Sequence, residues 1–101
     1  MGISTHVLDI ARGRPAAGIP VTLETMEPDG TWRRAGDGTT NDDGRVKPLL
    51  PESSAFVAGL FRIRFDVDSY LQKFHGKSFY PSVTIDFRVE NPAEHFHVPL
   101  L

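Results

Sequence analysis

The 101-residue chain contains no cysteine. Disulfide frameworks, thiolate nucleophiles, iron–sulfur clusters and Cys-built zinc sites are thereby excluded. Their absence fits a reducing compartment. No apolar run approaches the ~20 residues that a membrane span needs. The opening Met1-Gly2-Ile3-Ser4-Thr5-His6-Val7 lacks the basic region and long apolar stretch of a secretory signal. A cytoplasmic location with no membrane partner is therefore expected. An excess of either charge is missing too: 11 Lys and Arg against 13 Asp and Glu leave a net charge of −2. That is too near neutral for a nucleic-acid binder that works by bulk charge. What remains is a globular composition, 40% apolar and 24% charged, on a chain long enough for one core and not for two. One domain over residues 1–101 is expected.

Nine glycines and eight prolines break the chain into short segments rich in β-branched and aromatic residues. Ile3 to Ile10 reads as a first strand, and Ala11 to Pro15 as a turn. A second strand runs from Ile19 to Met26, with Val21, Leu23 and Thr25 alternating against Thr22, Glu24 and Met26. Pro28-Asp29-Gly30 is a hairpin signal leading into a strand from Thr31 to Thr39. After the turn Asn41-Asp42-Asp43-Gly44 comes a short strand from Arg45 to Leu50. Leu60 to Val67 alternates cleanly, with Phe61, Ile63, Phe65 and Val67 on one face and Arg62, Arg64 and Asp66 on the other. Asp68 to Gly76 predicts a two-turn helix with Asp68 as N-cap and Gly76 at its C-terminal end. Ser82 to Val89 and Glu94 to Leu101 complete the strands. Short strands at regular spacing with one short helix predict an antiparallel β-sandwich. The apolar ending Phe96-His97-Val98-Pro99-Leu100-Leu101 reads as a sheet edge that needs a cover: either another chain pairs there or, as is expected, a further strand follows Leu101.

Four histidines head the reactive inventory: His6, His75, His95 and His97. Strand alternation puts His95 and His97 on one face and Phe96, Val98 and Leu100 on the other, core-like face. In the first strand His6 shares a face with Leu8 and Ile10. Three readings remain open on residues alone. Each imidazole is a surface residue without chemistry; or His95 and His97 offer two metal ligands, with His6 or a carboxylate as a third; or an imidazole does acid–base work beside an Arg that holds an anion. His75, in the last helical turn, reads as structural. Arg45 is either an exposed residue after a β-turn or a planar fork presented by that turn to a carbonyl-rich ligand. Arg62 and Arg64 read as a solvated face.

The run His6-Val7-Leu8-Asp9, followed by Gly13, Pro15-Ala16, Ile19 and Val21, resembles the N-terminal signature of the transthyretin family, in its 5-hydroxyisourate hydrolase branch. Further matches follow in order: Thr39-Thr40 leading to Asp43-Gly44-Arg45, then Phe79-Tyr80-Pro81, then His95-Phe96-His97-Val98-Pro99-Leu100-Leu101. The resemblance implies a mainly β fold, a transthyretin-like (prealbumin-like) sandwich with one short helix, assembled as a homotetramer around a channel. It implies that His6, Arg45 and His97 are the catalytic and substrate-binding residues. The hormone-carrying branch has a Lys, an acidic residue and a Thr at those places. It also implies an eighth strand after Leu101, ending in Tyr-Arg-Gly-Ser.

The activity so implied is hydrolysis of 5-hydroxyisourate, in urate and purine catabolism, by water attack on a cyclic amide. His97, or His6 with it, would deprotonate the water and return the proton to the leaving ring nitrogen. Arg45 would orient the planar substrate and stabilise charge on its carbonyl oxygen. No cofactor or metal is called for. The alternatives are a transthyretin-type carrier of small ligands and a non-catalytic β-sandwich binding module.

Overall fold

The computed structural model describes residues 2–46, 49–51 and 56–101. Among these residues eight strands and one helix follow one another: β1 (Gly2–Asp9), β2 (Arg14–Pro15), β3 (Pro20–Met26), β4 (Trp32–Thr39), β5 (Arg45–Val46), β6 (Gly59–Phe65), α1 (Asp68–His75), β7 (Val83–Val89) and β8 (His95–Leu100). They form two four-stranded sheets. One has the order β4-β3-β6-β7, antiparallel throughout. The other is organised on β1, which pairs antiparallel with β2 and β5 and parallel with β8. This is the predicted β-sandwich, with β1–β8 as its one parallel pairing among the described strands.

The two-residue period decides what each sheet buries. Val21 and Leu23 of β3 and Phe61, Ile63 and Phe65 of β6 point inward and are buried. Ile3, Thr5 and Val7 of β1 meet them from the other sheet, with Phe96, Val98 and Leu100 of β8 packed alongside. Thr5 is the polar member of this row. Its hydroxyl donates to the Val98 carbonyl at 2.6 Å, so its burial leaves no unmet partner.

Several boundaries differ from expectation for identifiable reasons. Arg14 and Pro15, expected in a turn, form β2 against Leu8 and Asp9. Thr31 stays outside β4 because Asp29 Oδ1 accepts from both its amide and its hydroxyl. The strand expected over 45–50 covers only Arg45–Val46; residues 47–48 lie outside the described set, and at Leu49 and Leu50 the backbone bends instead of continuing the strand. Asp68 is not the N-cap of α1. Val67 occupies that place with no side-chain cap, and the Asp68 carboxylate accepts from Gln72 inside the helix at 2.8 Å. The other end is as expected. Gly76 closes the helix in the left-handed region at φ 77°, and its amide donates to the Gln72 carbonyl. No helix among the described residues is long and apolar enough to cross a membrane.

Candidate active site

The outward face of β1 carries Ser4, His6 and Leu8, the residues that alternate with the buried row. Register decides what stands beside them. On β8, His97 is level with Ser4, and Pro99 with His6. On β5, Arg45 is directly opposite His6. Three side chains far apart in sequence therefore converge across one strand. The His6 and His97 rings lie 6.4 Å apart, centre to centre. Spacing alone left this meeting open, and the strand order supplies it.

Arg45 is held in place by the turn before it. The side-chain oxygen of Asn41 accepts from the amides of Asp43 and Arg45 at 2.9 and 3.0 Å. The Asn41 amide donates to the Arg45 carbonyl, and the Gly44 amide to the Asn41 carbonyl. Gly44 adopts φ 76°, where a side chain is strained, and a Cβ there would stand 2.3 Å from the Val7 carbonyl oxygen. The amide of Val7 in turn donates to the Gly44 carbonyl at 2.8 Å. The turn is thus fastened to β1 one residue from His6.

The electrostatics of this face are one-sided. His97 has its pKa lowered from the ordinary imidazole value of 6.5, first by partial burial, then by the positive charge of Arg45 and by His6 and His95. The ring remains solvent-accessible, so the desolvation is incomplete. Both effects favour neutral His97 at pH 7, a form with a lone pair for proton abstraction. None of the ion pairs among the described residues involves Arg45.

One residue that the sequence did not single out, Ser4, completes the cluster and joins His95 to it. Ser4 Oγ lies 2.9 Å from Nδ1 of His97 and 2.9 Å from Nε2 of His95. Parity with His6 was the available signal for Ser4. Among the described residues no three His, Cys, Asp or Glu side chains are grouped as ligands for one metal ion. His95 and His97 are joined through a hydroxyl.

The remaining histidine belongs elsewhere. His75 Nε2 is 2.8 Å from Asp9 Oδ2, the same oxygen that accepts from the Tyr70 hydroxyl at 2.8 Å. Asp9 Oδ1 accepts from the Arg12 amide, and the Arg12 guanidinium donates to the Tyr70 oxygen. This set fastens α1 to the end of β1, in keeping with a structural His75. An apolar hollow of about 320 Å³ beside it, lined by Ile10, Leu71, Val83 and Leu100 among others, does not reach His6, Arg45 or His97. Arg62 and Arg64 pair with Asp86 and Asp66 on the outer face of the other sheet.

A sequence model of the HIUase/transthyretin family matches residues 3–101. The chain belongs to the HIUase/transthyretin family. A relative from Salmonella dublin named 5-hydroxyisourate hydrolase is 37% identical over 99 residues, which cover 98% of this chain and 71% of the relative. The solved 5-hydroxyisourate hydrolase of Klebsiella pneumoniae superposes with a TM-score of 0.77 at 28% identity, covering 98% of this chain and 87% of that one. Transthyretin from Sparus aurata superposes with a TM-score of 0.84 at 23% identity, over 98% of this chain and 87% of that one. The last likeness concerns the fold alone.

Proposed function

We propose that this family member is a hydrolase of 5-hydroxyisourate, converting it to 2-oxo-4-hydroxy-4-carboxy-5-ureidoimidazoline in urate degradation. The observation that carries the reading is the convergence of His6 and His97 beside Arg45 across β1. Relatives bearing the hydrolase name at 37% identity support it.

The substrate is a planar, carbonyl-rich ring, for which a guanidinium fork offers paired donors. Arg45 orients it and stabilises the negative charge that builds on the carbonyl oxygen under attack. Neutral His97, with His6 at its side, takes a proton from water. The water oxygen bonds to the carbonyl carbon, the ring C–N bond breaks, and the same imidazole returns its proton to the departing nitrogen. The ring opens to a carboxylate, and neither a covalent intermediate nor an added oxidant is needed. The proposal includes assembly as a homotetramer, whose neighbouring copies would shield this outward-facing site from bulk water, and a cytoplasmic location.

The test is the ultraviolet decay of 5-hydroxyisourate made in situ from urate, followed with the wild-type protein and with Arg45→Glu. Acceleration by the wild type that is lost in the variant is the expected result. Decay at the spontaneous rate with a folded wild-type protein contradicts the proposal and returns the chain to the carrier or binding-module readings.

A further inference from the structure

The proposed mechanism uses Arg45, His6 and His97 and leaves Ser4 and His95 without a part. Their geometry is specific. The parallel register sets Ser4 level with His97 and Gly2 level with His95. The Ser4 side chain therefore stands between the two imidazoles, 2.9 Å from a nitrogen of each.

A hydroxyl carries one proton. Between two neutral rings it can donate to one nitrogen only and must accept from the other. If His97 Nδ1 donates, its Nε2 is bare and basic. If His97 Nδ1 accepts, its Nε2 carries a proton and cannot take one from water. The surroundings favour the first arrangement. Arg45 and His6 stand near His97 with positive or proton-bearing groups, beside which a lone pair is better placed than an N–H. At the other end, His95 is exposed to solvent. Its Nδ1 is left clear to keep its proton and donate to solvent.

We propose that Ser4 is a positioning residue: its hydroxyl accepts the Nδ1 proton of His97, donates to Nε2 of His95, and so holds His97 with a bare Nε2 turned to the substrate. The nitrogen that a histidine leaves free is set by the hydrogen bond its other nitrogen makes. The chain also gives charge a path. When His97 takes a proton on Nε2, its Nδ1 proton can pass to Ser4 Oγ while the Ser4 proton passes to His95 Nε2. No proton is gained or lost, and the charge moves from His97 to His95, which is level with Gly2 and so lies further along β1 from Arg45, the partner of His6. The kinetic part of this inference rests on the hydrolase reading; the protonation state of His97 does not.

The experiment joins nitrogen-15 correlation spectra of the imidazole rings, recorded where His97 is neutral, to the 5-hydroxyisourate assay, on wild type, Ser4→Ala and Ser4→Thr. The wild type is expected to show His97 protonated on Nδ1. Ser4→Ala is expected to move the proton to Nε2, the form an imidazole favours in water, and to lower kcat about tenfold with KM changed less than about twofold. Ser4→Thr keeps the hydroxyl and is expected to restore the Nδ1 form and kcat to within about threefold. His97 protonated on Nε2 in the folded wild type overturns the inference, even if Ser4→Ala does not fold. So does a Ser4→Ala protein with an unchanged His97 tautomer, whatever its rate. An inactive wild type with His97 protonated on Nδ1 defeats the hydrolase reading and leaves the positioning role of Ser4 standing.

Discussion

β1 supports two polar clusters that answer opposite needs. At its C-terminal end Asp9 is surrounded by donors: the Arg12 amide, the Tyr70 hydroxyl and the His75 ring. Burial alone would push the Asp9 carboxyl up, but the hydrogen bonds from His75, Tyr70 and Arg12 outweigh it and hold its pKa below 3.8. Every strong group there is matched by a partner. Nearer the middle, on the outward face, His97 sits with Arg45, His6 and His95. No carboxylate faces His97 there, and His95 and His97 are bonded through a neutral hydroxyl. The first arrangement stabilises the chain by complementarity. The second favours an uncharged base beside a fixed cation, which suits a ligand that brings negative charge of its own. Perturbation by burial and like charge, rather than by a matching partner, separates the proposed active-site cluster from the structural one.

The comparison breaks most sharply at His97. His97→Asn removes the proposed base, and kcat is expected to fall at least ~10²-fold with circular dichroism unchanged, since acid–base catalysis contributes ~10²–10⁴. Gly44→Ala comes next, because it strains both clusters' common strand. A Cβ 2.3 Å from the Val7 carbonyl at φ 76° forces the turn off β1. Chemical denaturation should show a loss of about 1–3 kcal/mol, with activity falling as Arg45 shifts. Asp9→Ala strikes the structural cluster alone. It leaves three donors without their acceptor and is expected to cost about 1–3 kcal/mol in the same measurement. The kcat of the folded protein should stay within about twofold.

The smallest effect is that of pH. The pKa of His97 in the folded chain lies below 6.5, so kcat/KM should hold steady near neutrality and fall on acidification only below 6.5. The unfolded chain binds the proton more readily than the folded one in that window. Stability should therefore decline slightly as pH drops from 6.5 through the folded value. An acid limb above 6.5 in the pH–rate profile would contradict a His97 pKa lowered by burial and by Arg45.

Alternation made much of this legible in the sequence. Phe61, Ile63 and Phe65 inward, or His95 and His97 outward, follow from the period of a strand and needed no tertiary knowledge. Gly76 as a helix terminator is equally local. The errors arose where a side chain had more than one use. Asp68 has the chemistry of a cap and binds Gln72 inside the helix. Arg14 and Pro15 have the look of a turn and add to β1. The parallel pairing of β8 with β1 was not legible, because it joins segments at opposite ends of the chain. It decides that Ser4, and not another outward residue, falls between two imidazoles. The family resemblance pointed to His6, Arg45 and His97; register supplies their physical meeting, and with it the neighbours no motif had named.

The most direct measurement sets the two clusters against each other with the same chemical change. 5-Hydroxyisourate decay would be followed with His97→Asn and His75→Asn at matched concentration of folded protein. The account predicts a loss of at least ~10²-fold for His97→Asn and a rate near wild type for His75→Asn. Equal activity of the two variants would contradict it.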